Sequence, residues 1–161
     1  DVYSAPGEGT VFNLYWPISE GTHIADNEAL RITAITGGTE TLLLAEDDDQ
    51  VREFMRAILD QAGYTVLATE TGIAAMSVFE EQGEKIDMAI LDAVMPEMSG
   101  HDVYERMRDL RPGFKVLFAS GYRGNTVPFK NGSDDETPLI QKPFTREVLL
   151  RAVRETLDTA R

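Results

Sequence analysis

The chain has 161 residues, enough for one full hydrophobic core plus an appendage but not for two ordinary domains. A hydrophobic fraction of 42% suits a globular domain, and the net charge of −13 (28 acidic, 15 basic side chains) argues against a nucleic-acid or anionic-membrane surface. With no cysteine there is neither a disulfide framework nor thiolate chemistry, and no apolar stretch approaches the roughly 20 residues that span a bilayer.

The first residues lack the basic start and apolar core of a signal peptide; the expected location of this segment is cytoplasmic, in a parent protein that an upstream segment could anchor to a membrane. The chain opens on Asp1, which suggests a piece of something longer. Gly7 and Gly9 read as turn residues, and Thr10–Trp16 mixes β-branched and aromatic residues up to Pro17, as one strand would. Gly21–Gly38 reads as a linker. One strand cannot bury a core alone, so this segment is either a fragment of a preceding domain or an edge that docks on the main body.

From Thr39 a regular alternation begins. Thr41–Ala45 is a continuous apolar run, the pattern of a strand covered on both faces. A helix is predicted from Asp49 to Ala62, with Val51, Phe54, Met55, Ile58 and Leu59 as its apolar stripe and Gly63 just past its end. A second strand at Tyr64–Ala68 precedes a helix over Gly72–Gln82, with Ile73, Met76, Val78 and Phe79 turned inward. The third strand is Asp87–Leu91 and its helix His101–Leu110, broken by Arg111-Pro112-Gly113. Phe114–Ala119 forms the fourth strand and Leu139–Gln141 the fifth. The last helix starts after Thr145, a suitable N-cap, with Val148, Leu149, Val153 and Leu157 on one face. Between the last two strands, Gly124, Pro128 and Gly132 oppose a regular helix. A short or distorted one is expected, followed by the acidic loop Asp134-Asp135-Glu136.

Five βα units predict a doubly wound, five-stranded parallel α/β sheet with helices on both faces. In such sheets ligands bind outside the carboxyl ends of the strands, and this chain places polar residues at four of them. Glu46 and Asp47 follow the first strand, Asp92 the third, Ser120 the fourth and Lys142-Pro143 the fifth. A hard cation such as Mg2+ (or Mn2+) takes oxygen ligands, and three converging carboxylates are best explained by one. Asp92 is the candidate nucleophile, because carboxylates form aspartyl-phosphates. Lys142 would pair with Asp92 at rest and with a phosphate oxygen afterwards, and the Ser120 hydroxyl would donate to another. A cis Lys142-Pro143 bond would suit the loop. Each residue also has a plainer reading. Asp48 and Asp49 suit helix capping, Asp92 a turn, and Ser120-Gly121 and Lys142-Pro143 ordinary loops. Their order and matched placement outweigh those readings.

The segments LLLAEDDDQVR (Leu42–Arg52), AILDAVMPEMSG (Ala89–Gly100), VLFASGY (Val116–Tyr122) and QKPF (Gln141–Phe144) resemble the receiver domain of two-component response regulators, over about residues 39–161. The resemblance implies a flavodoxin-like sheet in order 2-1-3-4-5. It also implies phosphorylation at Asp92, magnesium held by Glu46, Asp47, Asp92 and the Val94 carbonyl, a switch hydroxyl at Ser120 and a phosphate-contacting Lys142. The chain departs from the family at Leu139, where an aromatic switch residue often stands. PGEGTVFNLYWP (Pro6–Pro17) resembles the closing strand of the ATP-binding domain of histidine kinases. Residues 1–20 would then be a kinase remnant, 21–38 a linker and 39–161 the receiver of a hybrid sensor histidine kinase. Its partners would be a histidine kinase core or a histidine phosphotransfer protein. The parent would be the ATP:protein-histidine phosphotransferase, and this segment its phosphoacceptor. His23 and His101 lack the surroundings of a phosphodonor and read as solvated or structural. Two other functions fit less well. A docking module without turnover would not need the full polar set, and an aspartyl phosphatase usually carries a second acid where this chain has Val94.

Overall fold

The computed structural model describes residues 1–7, 9–13, 15, 37–121 and 137–159. His23, most of the linker, the end of the predicted Thr10–Trp16 strand and the irregular helix with its acidic loop lie outside them. The chain divides into two compact units, residues 1–33 and 34–161.

The first unit contains a hairpin, β1 (Val2–Ala5) and β2 (Gly9–Phe12), paired antiparallel with Val2 opposite Phe12. The single strand expected here is therefore one of two. Val2–Ala5 lacks the aromatic run that marks its partner, and Gly7 and Gly9 take positive φ in and just after the turn. Val2, Tyr3, Val11 and Phe12 are all exposed, and among the described residues the two-stranded ribbon has no second layer to cover them.

The second unit carries β3 (Thr41–Ala45), α1 (Asp49–Gln61), β4 (Thr65–Thr69), α2 (Gly72–Gln82), β5 (Met88–Asp92), α3 (Gly100–Leu110), β6 (Lys115–Ser120), β7 (Leu139–Gln141) and α4 (Arg146–Asp158). The strands form one parallel sheet in order β4-β3-β5-β6-β7, the predicted 2-1-3-4-5 arrangement. Side chains alternate between faces along each strand. Leu43, Ala89, Leu91, Val116 and Phe118 meet α2 and α3 on one face. Leu42, Leu44, Met88, Ile90 and Leu117 meet α1 and α4 on the other. Both faces are covered, which is why the central strands read as unbroken apolar runs.

Three helix positions assigned inward point outward instead: Phe54 is 49% exposed, Ile73 48% and Val148 41%. Each lies at the margin of its stripe. In α1 and α4 the buried arc is set by Met55, Ile58 and Leu59 and by Leu149, Leu150 and Val153. In α2 it is set by Ala75, Met76 and Phe79. Asp48 caps α1 by accepting from the Gln50 and Val51 amides at 2.8 and 3.1 Å, and Thr145 caps α4.

Gly37 and Gly38, assigned to the linker, pack on this unit. The Gly38 amide donates to the Ala62 carbonyl at 3.2 Å, and a Cβ on Gly37 would fall 1.6 Å from that oxygen. Next to them Glu40 pairs with Arg154 of α4 at 2.8 Å, and Arg154 also holds Asp158. Burial pushes the Glu40 carboxyl up, but Arg154 outweighs it and holds the group below its ordinary value.

Gly63 follows α1 at φ +96°, and a Cβ there would lie 2.7 Å from the Gly38 carbonyl. A side chain in that conformation costs about 1–2 kcal/mol before the clash is counted. Gly63→Ala is expected to lower unfolding stability by at least that much. In urea denaturation the midpoint should fall with the slope unchanged; an unaltered midpoint would contradict the strain assigned here.

Candidate metal and phosphoacceptor site

Chain order sets where the site lies. From β3 the chain moves to β4 on one side and then crosses to β5 on the other, so the sheet's direction switches between β3 and β5. At such a point the two flanking helices diverge and leave a crevice at the carboxyl edge. Glu46 and Asp47 leave β3 into it, and Asp92 is the last residue of β5.

Glu46, Asp47 and Asp92 each offer a carboxylate oxygen, all within 4.8 Å of one another. Glu46 is 1% exposed and Asp92 is also buried, while Asp47 faces solvent. Lys142, beyond β7, bridges the buried pair: its Nζ donates to Glu46 Oε2 at 2.5 Å and to Asp92 Oδ2 at 2.8 Å. Lys142 and Asp92 are thus paired as expected, and Glu46 is a second partner that the sequence reading had not assigned. The Lys142-Pro143 bond is cis. Ser120 closes β6, buried beside Asp92's neighbour: Asp92 registers with Ala119, and Ser120 with Gln141.

Burial pushes the Glu46 carboxyl above its ordinary range, and the Asp92 charge adds to the rise against the pull of Lys142. For Lys142 burial acts downward, but the hydrogen bonds to Asp92 and Glu46 outweigh it and hold the ammonium above its usual value. One lysine thus serves two buried acids, and Glu46 still bears a net cost for ionising.

The loop after β5 is shaped around Asp92. The Val94 amide donates to Asp92 Oδ1 at 3.1 Å, which turns the chain back over the carboxylate. The Val94 side chain is exposed. Ser99 and Asp102 form a reciprocal capping box that starts α3. Gly100, first residue of α3, lies against the end of β5, and a Cβ there would sit 2.1 Å from the Asp92 carbonyl oxygen. Only glycine lets α3 begin this close to the phosphoacceptor candidate. His101 has a half-exposed side chain with Nε2 3.6 Å from Glu105 on the same helix.

Sequence reasoning assigned no role to Arg52. Its Nη1 donates to the Glu46 carbonyl at 2.8 Å and reaches the Asp47 carbonyl at 3.5 Å, and Nη2 pairs with the Asp49 carboxylate. A signal existed, since a basic residue in the first turn of a helix opposes the dipole and calls for a local partner.

A doubly wound sheet with three carboxylates and a lysine gathered at its switch point defines a class of α/β proteins with a polar, charge-dense carboxyl edge. The comparisons narrow the class. A family model described as the response regulator receiver domain matches residues 42–154, and the chain belongs to that family.

The chain is 30% identical over 162 residues to the sensor kinase CckA of Brucella abortus, covering 96% of this chain but only 17% of the kinase. It is 29% identical over 119 residues to the response regulator receiver protein CpdR of the same organism, covering 74% of this chain and 98% of that one. Among solved structures, a response regulator receiver protein from Sinorhizobium medicae superposes with a TM-score of 0.67 at 27% identity, covering 75% of this chain and 96% of its own. A CheY-like receiver domain protein from Methanospirillum hungatei gives 0.65 at 27%, covering 75% and 95%. No helix among the described residues is long and apolar enough to cross a membrane.

The raised Glu46 value carries a sign that can be measured. Folding favours its protonated form, so that contribution is present below about pH 4.5 and is lost as pH climbs through the raised folded value. Glu46→Gln stays neutral throughout. Without metal, the variant should therefore gain stability over the wild type as pH rises above about 4.5 and show no gain below it. Urea midpoints across the range test this; a variant less stable at pH 8 would refute it.

Proposed function

We propose that this chain accepts a phosphoryl group from a phosphohistidine onto Asp92, in the presence of Mg2+ or Mn2+, within a two-component phosphorelay. The observation that carries the reading is the convergence of Glu46, Asp47 and Asp92 within 4.8 Å, with Lys142 bridging two of them. A hard divalent cation suits this all-oxygen donor set, one member of which is buried and costly to ionise alone. Glu46, Asp47 and Asp92 would hold the cation, with the Val94 carbonyl as a further ligand. When bound, it would neutralise charge developing on the transferred phosphoryl oxygens.

An Asp92 carboxylate oxygen attacks phosphorus in line with the phosphoimidazole bond. The P–N bond breaks as the P–O bond forms, and the histidine ring leaves with its electron pair and takes a proton from solvent. Lys142 already lies 2.8 Å from Asp92 Oδ2, so it can follow the charge to a phosphoryl oxygen with little movement. The Ser120 hydroxyl, at the adjoining strand end, donates to a second oxygen, and the Val94 amide helps orient the carboxylate. Phosphorylation then shifts an equilibrium between two states that a partner reads.

The wider assignment rests on the alignment with a sensor kinase through 96% of this chain. Residues 1–20 fit the closing strands of a kinase ATP-binding domain, 21–38 a linker, and 39–161 the receiver of a hybrid histidine kinase. The exposed apolar residues of β1 and β2 suit strands that complete a larger sheet. The phosphodonor would be that kinase's histidine domain or a histidine phosphotransfer protein, with the reaction in a cytoplasmic setting.

Intact mass after incubation with acetyl phosphate and Mg2+ should rise by one phosphoryl group. The gain should vanish in Asp92→Asn and after chelation with EDTA. Labelling retained in Asp92→Asn would overturn the site. If neither acetyl phosphate nor a purified phosphohistidine donor labels the folded protein, the chain works as a docking module instead.

A further inference from the structure

Arg52 is unusually placed for a basic residue. It stands in the first turn of α1, where the helix dipole disfavours a cation, yet its side chain is only 13% exposed. The bonds that hold it there run to the 46–49 loop. Nη1 donates to the Glu46 carbonyl at 2.8 Å and reaches the Asp47 carbonyl at 3.5 Å, while Nη2 engages Asp49. Those carbonyls belong to the turn between the end of β3 and the start of α1, where ladder and helix bonds are both out of reach. A planar guanidinium can hold such neighbours in one orientation, which a single ammonium cannot.

We propose that Arg52 is a positioning residue for the cation site: by fixing the peptide planes of Glu46 and Asp47, it aims their carboxylates at the point where Asp92 also converges. This rests on the magnesium-dependent reading above. It can be separated from a purely electrostatic effect, because the two have opposite signs. As a nearby positive charge, Arg52 would repel a cation, and removing it would tighten metal binding. As a positioning group, it would weaken metal binding when removed, and restoring the charge as lysine would not recover the loss. Partners that orient metal ligands typically change affinity about 10–100-fold when lost.

The experiment is calorimetric titration of Mg2+ into the metal-free full chain, as wild type, Arg52→Lys and Arg52→Met. Backbone amide shifts of Glu46 and Asp47 are recorded in each metal-free protein. The expected result is Mg2+ binding weaker by about 10-fold or more in both variants. The 46–47 amides should be displaced and the melting cooperative. If Arg52→Met does not fold, Arg52→Lys decides alone, since it keeps the charge and most of the stem. Binding as tight as or tighter than wild type in a folded variant overturns the role of Arg52 and leaves the magnesium reading intact. Failure of the wild type itself to bind Mg2+ overturns that reading, and the role with it.

Discussion

Lys142 lies between Glu46 and Asp92, and the geometry of the carboxyl edge depends on that single charge. Two acids withdrawn from water repel each other strongly unless something positive sits between them. The lysine is brought there from about fifty residues beyond Asp92 by the shortest strand of the sheet. β7 has three residues, yet it must be in register with β6 for Nζ to reach both oxygens. A slip of one residue would turn Ile140 out of the core and Lys142 away from the site together. Core packing and site assembly are therefore the same event at this edge.

The arrangement is adequate rather than relaxed. Lys142 does not fully offset the cost of an ionised Glu46, so part of the stability of the fold is given up to keep an acid there. Natural sites often hold such groups because the missing charge arrives with a ligand. Gly100 shows the same bias in steric form: its vacant Cβ position lets α3 start against the Asp92 backbone, though glycine is a poor helix residue.

Much of this was legible in the residues. Continuous apolar runs at Thr41–Ala45 and Met88–Leu91 marked strands correctly because both faces of the sheet are covered there. The polar residues after them marked the carboxyl edge because the strands are parallel. What escaped depended on contacts between elements. Phe54, Ile73 and Val148 matched a helical period but fell just outside the buried arc, which only the neighbouring strand side chains define. Val2–Ala5 was missed because its register comes from its partner in the hairpin. Arg52 was passed over because two of its three partners are main-chain carbonyls, which carry no residue identity. The second partner of Lys142 was equally hidden, since Glu46 reads as a metal ligand before it reads as an ion pair.

The corner formed by Gly37, Gly38 and Gly63 fixes where the polypeptide is threaded into this unit. All three lie by the amino ends of the strands, near the α1 terminus and Arg154, whereas Asp92 stands at the carboxyl ends. Five residues of β3 separate the two edges, a height of roughly 17 Å at strand rise. The chain thus enters this unit on its floor, while Asp92 and Glu46 stand on its roof. A group carried on the polypeptide before Gly37 would have to span at least that height to reach the carboxyl edge. Chain length ahead of Gly37 would thus bear on reach to that edge without altering the residues there.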